Sequence, residues 1–187
     1  MKKLLTLVFF VIGSFAYSSE LGLKLGGASI KIKDVKDPIR LNSYAALYLD
    51  LDMPLGPMMS AGPSFELASG SLKIGDAYCF SYGTCRIDFT YTTLEANGKV
   101  KASISMIQLF GGLGVSVNRF GIDAFDSTTG DRIGTLGDIN ATGLQAFGGA
   151  MLTFGVFGVG AEYKVKAVNI QDIEYVSHFT VNLALVF

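Results

Sequence analysis

The sequence holds one histidine, His178, beside Ser177. Hydrolytic chemistry needs a nucleophile within reach of a general base, usually histidine. Neighbouring side chains on a strand point to opposite faces, so Ser177 and His178 do not make such a pair. Asp50 and Asp52 are two apart; on a strand they share a face and have the spacing of a carboxylate pair. Ion pairing to Lys24 or Lys164 accounts for them more simply than acid–base catalysis. Cys79 and Cys85 bracket Phe80-Ser81-Tyr82-Gly83-Thr84. That spacing excludes a Cys-x-x-Cys redox centre, and a metal site would need two more ligands. Asp123, Asp126, Asp131 and Asp138 lack the spacing of a Ca²⁺ loop. Histidine and cysteine do not cluster with the acids, as a transition-metal site would require. No catalytic set, cofactor or metal is therefore expected.

The elements that must carry these residues follow from composition. Of 187 residues, half are apolar and 17% charged, with net charge −1 and mean hydropathy +0.43. That is too apolar for disorder and too poor in charge for an ordinary soluble domain. Balanced charge leaves no basic patch for nucleic acid. Beyond the first 20 residues no apolar run reaches the ~18–20 residues of a spanning helix. The 23 glycines are scattered through the apolar stretches and would weaken helices. A membrane chain without spanning helices has one architecture left, a closed β-barrel. At the N-terminus, Lys2 and Lys3 precede an apolar stretch, Leu4 to Ala16, as in a secretory signal. Cleavage is expected after Ser18, with Ala16 the alternative, leaving one domain over 19–187. Export to an oxidising compartment predicts a disulfide between Cys79 and Cys85.

Period-two alternation supports the barrel. Ala45, Leu47, Leu49, Leu51 and Met53 oppose Tyr44, Ala46, Tyr48, Asp50 and Asp52, before a turn at Pro54-Leu55-Gly56-Pro57. Phe157, Val159, Ala161, Tyr163 and Val165 oppose Gly158, Gly160, Glu162, Lys164 and Lys166. Strands are expected at 21–32, 42–53, 59–69, 140–153, 156–168 and 177–187, with two more in 70–118. There, Asn97-Gly98 is a strong hairpin signal, and parity flips near Met106–Gln108. In one reading 86–94 and 99–118 are two strands, the second bulged; in the other, which equalises strand lengths and is favoured, 59–69 extends upward through 86–94, Asn97-Gly98 tops the hairpin and a turn falls near Met106–Gln108. Asn118 to Asn140 reads as a mobile surface loop. The polar faces are mainly Gly, Ala, Ser, Thr and Asn, which suits the inside of a narrow barrel better than a solvated exterior. The inward candidates are Lys24, Asp50, Asp52, Glu66, Glu162, Lys164, Lys166, His178 and Asn182. Opposite charges in that lumen are expected to pair.

The last strand carries Phe179, Val181, Leu183, Leu185 and Phe187 on one face. A terminal Phe after alternating apolar residues resembles the C-terminal signature of bacterial outer membrane barrels. Gly111-Gly112-Leu113-Gly114-Val115 and Gly158-Val159-Gly160-Ala161-Glu162-Tyr163 are similar to strands of the OmpA/OmpX-like small outer membrane barrels. The resemblance implies an eight-stranded antiparallel transmembrane barrel in the bacterial outer membrane. It implies contact with outer membrane lipid and lipopolysaccharide, and a last strand read by the barrel assembly machinery. It implies a structural or surface-interaction role, with adhesion or ligand contact through extracellular loops, and names no surface partner. A lipid A-modifying enzyme and a narrow small-solute pore are the alternatives. The His-x-Ser pattern of the lipid A deacylase family is absent, and no peptidoglycan-binding domain is expected after the barrel.

Overall fold

Strands with one apolar and one small or polar face must bury the second and find an apolar solvent for the first. In the computed structural model, eight of them do so as a ring. The structure describes residues 18–34, 36–79, 83–126 and 128–187, with only the backbone of Ser18, Asn42, 72–79, 83–85 and Leu136. The expected signal peptide lies outside these residues, apart from the backbone of Ser18. The strands are β1 (Ser18–Ile32), β2 (Ile39–Gly56), β3 (Met59–Cys79), β4 (Gly83–Ile104), β5 (Ile107–Asp126), β6 (Arg132–Phe154), β7 (Phe157–Val168) and β8 (Ile173–Val186). Each pairs antiparallel with the next, and β8 closes on β1 through Leu23↔Leu183 and Leu25↔Val181. Closure matters because an open edge in hydrocarbon leaves unpaired N–H and C=O groups at several kcal/mol each.

The barrel is inside out relative to a soluble one. Lys24, Glu66, Lys101, Lys164 and Lys166 are buried, whereas Leu113 and Leu144 are 70% and 68% exposed on the outer wall. An apolar surface this continuous requires lipid, so this is not a soluble barrel with its apolar face turned inward. On β5 the outward apolar residues run from Ile107 to Val117, ending at Arg119. Ten residues at about 3.4 Å each, inclined by about 40°, rise about 26 Å, close to the ~25 Å apolar band of membrane barrels. The short turns, at 57–58, 105–106 and 155–156, define the periplasmic end.

Two expectations are corrected. Asn97-Gly98 does not top a hairpin: β4 passes straight through it, pairing Gly98 with Pro63 on one side and with Leu113 on the other. A turn there would break two ladders inside the membrane, which outweighs the local preference of the dipeptide. Asn97 points inward and accepts a hydrogen bond from Gln145 (2.5 Å). The turn expected near Met106–Gln108 falls at Ser105–Met106, with Ser105 left-handed at φ 56°. The segment Asn118 to Asn140 is not a loop but the upper parts of β5 and β6, joined by a tight turn. Asp126 caps that turn by accepting the backbone N–H groups of Thr128 (2.7 Å) and Thr129 (3.0 Å), which hold its carboxyl below the ordinary range. Its polar composition reflects strands that have risen above the lipid band.

The ring is lopsided. β2 pairs with β3 only as far as Ser43↔Ser71, and β6 with β7 only to Gly143↔Val168, after which Asn169 N–H donates to Thr142 O (2.8 Å). Beyond those points β3 to β6 continue as a four-stranded extracellular blade. The β6 edge over 132–141 has no strand beside it other than β5 among the described residues.

Candidate functional site

The lumen contains two ion clusters beneath an apolar cap. Near the periplasmic mouth, Lys101 Nζ lies 2.7 Å from Glu20, 2.6 Å from Asp52 and 3.3 Å from Asp50. Lys99 Nζ lies 2.5 Å from Asp50 and 4.1 Å from the centroid of Phe110. Further in, Lys24 bridges Glu66 (2.5 Å) and Glu162 (2.9 Å). Lys164 bridges Glu66 (2.8 Å) and Glu95 (2.6 Å). Lys166 pairs with Glu95 and donates to Tyr91 Oη (2.9 Å). Six carboxylates and five lysines are thus buried together among the described residues. Glycine makes room for the lumen aromatics: a Cβ on Gly149 would lie 2.5 Å from Phe110 Cζ, and one on Gly112 2.5 Å from Phe147 Cζ.

Above the inner cluster, Tyr44, Tyr91, Phe120, Ile30, Leu41 and Val176 pack into an apolar cap. His178 is buried beneath it, its ring stacked on Tyr44 at 4.5 Å. Both of its nitrogens lack a hydrogen-bond partner. Ser177, its neighbour on β8, faces the other way.

Architectures of this kind occur in solved structures. Neisserial surface protein A matches with TM-score 0.64 and 10% identity, covering 90% of this chain and 97% of that one. Ail, the attachment invasion locus protein of Yersinia pestis, matches with TM-score 0.62 and 13% identity, covering 91% and 98%. A major outer membrane protein of Thermus thermophilus matches with TM-score 0.57 and 12% identity, covering 89% and 99%. The chain has the fold of the small outer membrane β-barrels. No protein-family model and no curated protein sequence matches it.

Within this barrel, all seven charged residues read from sequence as luminal do point inward: Lys24, Asp50, Asp52, Glu66, Glu162, Lys164 and Lys166. Asn182 joins them, accepting from Thr180 Oγ1 (3.1 Å). One pairing is corrected. Asp50 and Asp52 meet Lys99 and Lys101 rather than Lys24 or Lys164, because Lys24 stands four residues beyond Glu20, about 13 Å along β1. Glu20, Glu95, Lys99 and Lys101 were missed. The signal was present: Tyr91 and Thr93 share a face, and extending their parity gives Glu95, Asn97, Lys99 and Lys101. Reading Asn97-Gly98 as a turn cut that series short. Phe179, Val181, Leu183, Leu185 and Phe187 face outward as expected. The side chains of Cys79 and Cys85 lie outside the described residues. On the blade, Arg119 forks onto Asp138 (Nε–Oδ1 3.0 Å, Nη2–Oδ2 2.5 Å) and Arg132 meets Asp123 (2.5 Å). These hydrogen bonds hold both carboxyls below their ordinary range.

Proposed function

We propose that the protein is a non-enzymatic barrel of the bacterial outer membrane that acts at the cell surface, through the blade formed by β3 to β6. The observation that carries this is the unpaired β6 edge over 132–141, held above the lipid band by its neighbours. A free strand edge offers backbone donors and acceptors to a partner. Ail, a match of similar architecture, was solved with the heparin analogue sucrose octasulfate, and a surface role of that general kind suits the blade. Residues 1–18 direct export. The last strand, Phe179 to Phe187, is read by the barrel assembly machinery. At the top of β3 and β4, Cys79 pairs with Gly83 and Cys85 with Ala77, so the cysteines stand diagonally across the hairpin tip and a disulfide there staples the blade.

Cells displaying the full chain are compared with cells displaying a variant whose two tall hairpins are cut to short turns above Ser71 and Asn118. With heat-modifiable mobility unchanged, the variant is expected to adhere to immobilised sulfated polysaccharide or epithelial cells no better than cells lacking the protein. Equal adhesion overturns the reading. Thiol labelling of the exported, unreduced protein is expected to find no free cysteine; two labelled thiols refute the staple. The filled lumen speaks against the pore alternative, so planar bilayers are expected to show no stable conductance, and porin-like steps would establish a pore instead.

A further inference from the structure

The periplasmic cluster is one positive charge short. Glu20, Asp50 and Asp52 stand against Lys99 and Lys101 alone. The inner cluster, by contrast, balances Glu66, Glu95 and Glu162 with Lys24, Lys164 and Lys166. All five side chains of the periplasmic set are buried, and a net charge held out of water is costly. The set is short of donors as well: Glu20 Oε2, Asp50 Oδ1 and Asp52 Oδ1 have no hydrogen bond among the described residues. Neighbouring side chains offer no remedy. Residues 53–65, 102–118, 141–161 and 179–187, at the periplasmic ends of the other strands, contain no Lys or Arg. Lys24, further up β1, is committed to Glu66 and Glu162.

We propose that the missing cation is the α-ammonium of Ser19, created when residues 1–18 are removed. The inference rests on the reading that these residues direct export and are cut off after Ser18. The register brings that nitrogen to the cluster. Ser18 stands opposite Asp52, and Glu20 opposite Asp50, in the β1–β2 ladder. Opposed Cα atoms in such a ladder are about 4.5–5.5 Å apart, so the Ser18–Ser19 bond lies beside Asp52. Ser19 is held in place independently of the residues before it: its N–H donates to Phe187 O (2.6 Å), and its carbonyl accepts from the Phe187 N–H (2.9 Å). As an amide, the Ser19 nitrogen has one hydrogen, which goes to Phe187. As an ammonium it has three. The two new donors suit Asp52 Oδ1 and Glu20 Oε2, and the new charge brings the cluster to zero. Cleavage after Ala16 would put the charge on Tyr17 and leave Ser19 an amide. Removal of the leader therefore completes the ion cluster at the mouth of the barrel, and it ties the start of β1 to β2 as well as to β8. The surface-interaction reading does not depend on this and survives its failure.

The chain is released from a cleavable fusion so that it begins at Ser19, and a portion is acetylated at that nitrogen by an N-terminal acetyltransferase before refolding into bilayers. The acetyl group rebuilds the carbonyl and the next carbon of the severed bond. It therefore removes the charge and two donors without adding bulk that the strand pair does not already hold. Acetylation is expected to lower the folding equilibrium constant, read from urea unfolding, at least about tenfold, the scale of one hydrogen bond to a charged group. Asp52→Asn makes the cluster neutral without the ammonium, so in that background acetylation is expected to cost little or to stabilise. An acetylated wild type as stable as the free one, or an equal loss in both backgrounds, overturns the proposal. Should Asp52→Asn fail to fold, Glu20→Gln takes its place under the same criterion. Mass spectrometry of the exported protein tests the cleavage separately. A chain beginning at Ser19 is expected; one beginning at Tyr17, or retaining residues 1–18, overturns the cleavage reading even where the refolded chain shows the pairing.

Discussion

Lys101→Met is expected to destabilise the folded barrel by about 3–5 kcal/mol, the cost of stripping a buried charge of its partner. Lys101 is the ammonium that Glu20, Asp50 and Asp52 share, at 2.6–3.3 Å. Without it, Lys99 is the one lysine facing three buried carboxylates. The cluster is already short of donors: Glu20 Oε2, Asp50 Oδ1 and Asp52 Oδ1 are buried without a hydrogen bond. The second-site change Glu20→Gln removes one of the stranded charges and should recover part of the loss. Urea unfolding of vesicle-inserted protein, followed by circular dichroism, measures both. Ala102→Leu, on the outward face of the same strand, is the control and should move the midpoint little. If Lys101→Met unfolds at the wild-type midpoint, the periplasmic cluster is not an electrostatic unit.

Leu183→Arg places a charge near the middle of the lipid-facing band on β8, at an expected cost of about 2–4 kcal/mol. Leu183 is 48% exposed to the outside and pairs with Leu23 in the closing ladder. The variant should therefore give a low yield of heat-modifiable, folded barrel in bilayers. Asn182→Ser tests the other face: it removes a luminal amide whose hydrogen-bond partner among the described residues is Thr180, and should refold close to wild type. Asn182→Arg is the poorer comparison, because Asn182 stands beside Lys24 and a second cation there repels the first. Normal refolding of Leu183→Arg together with failure of Asn182→Ser would mean that the faces are inverted.

The faces were legible because they depend on one strand at a time. Lipid outside and a narrow lumen inside impose period two, so Leu47 against Tyr48, or Val165 against Lys166, could be assigned without knowing any neighbour. Strand number followed from the same periodicity with the short turns. The seven luminal charges were legible for the same reason: each falls on the small, polar side of an apolar ribbon.

Pairing was decided only by tertiary structure. Lys24 meets Glu162 across 138 residues and Asp50 meets Lys99 across 49, and such partners are chosen by register and strand tilt around the ring, which no local pattern encodes. The same holds for Asn97-Gly98, whose hairpin preference is local and small beside the two ladders it would break in hydrocarbon. It holds also for 118–140, where turn-rich composition marks height above the lipid rather than absence of strand. The blade exists because β2 and β7 end while β3 to β6 go on, a difference in length between neighbours that becomes visible only when all eight strands stand in one ring.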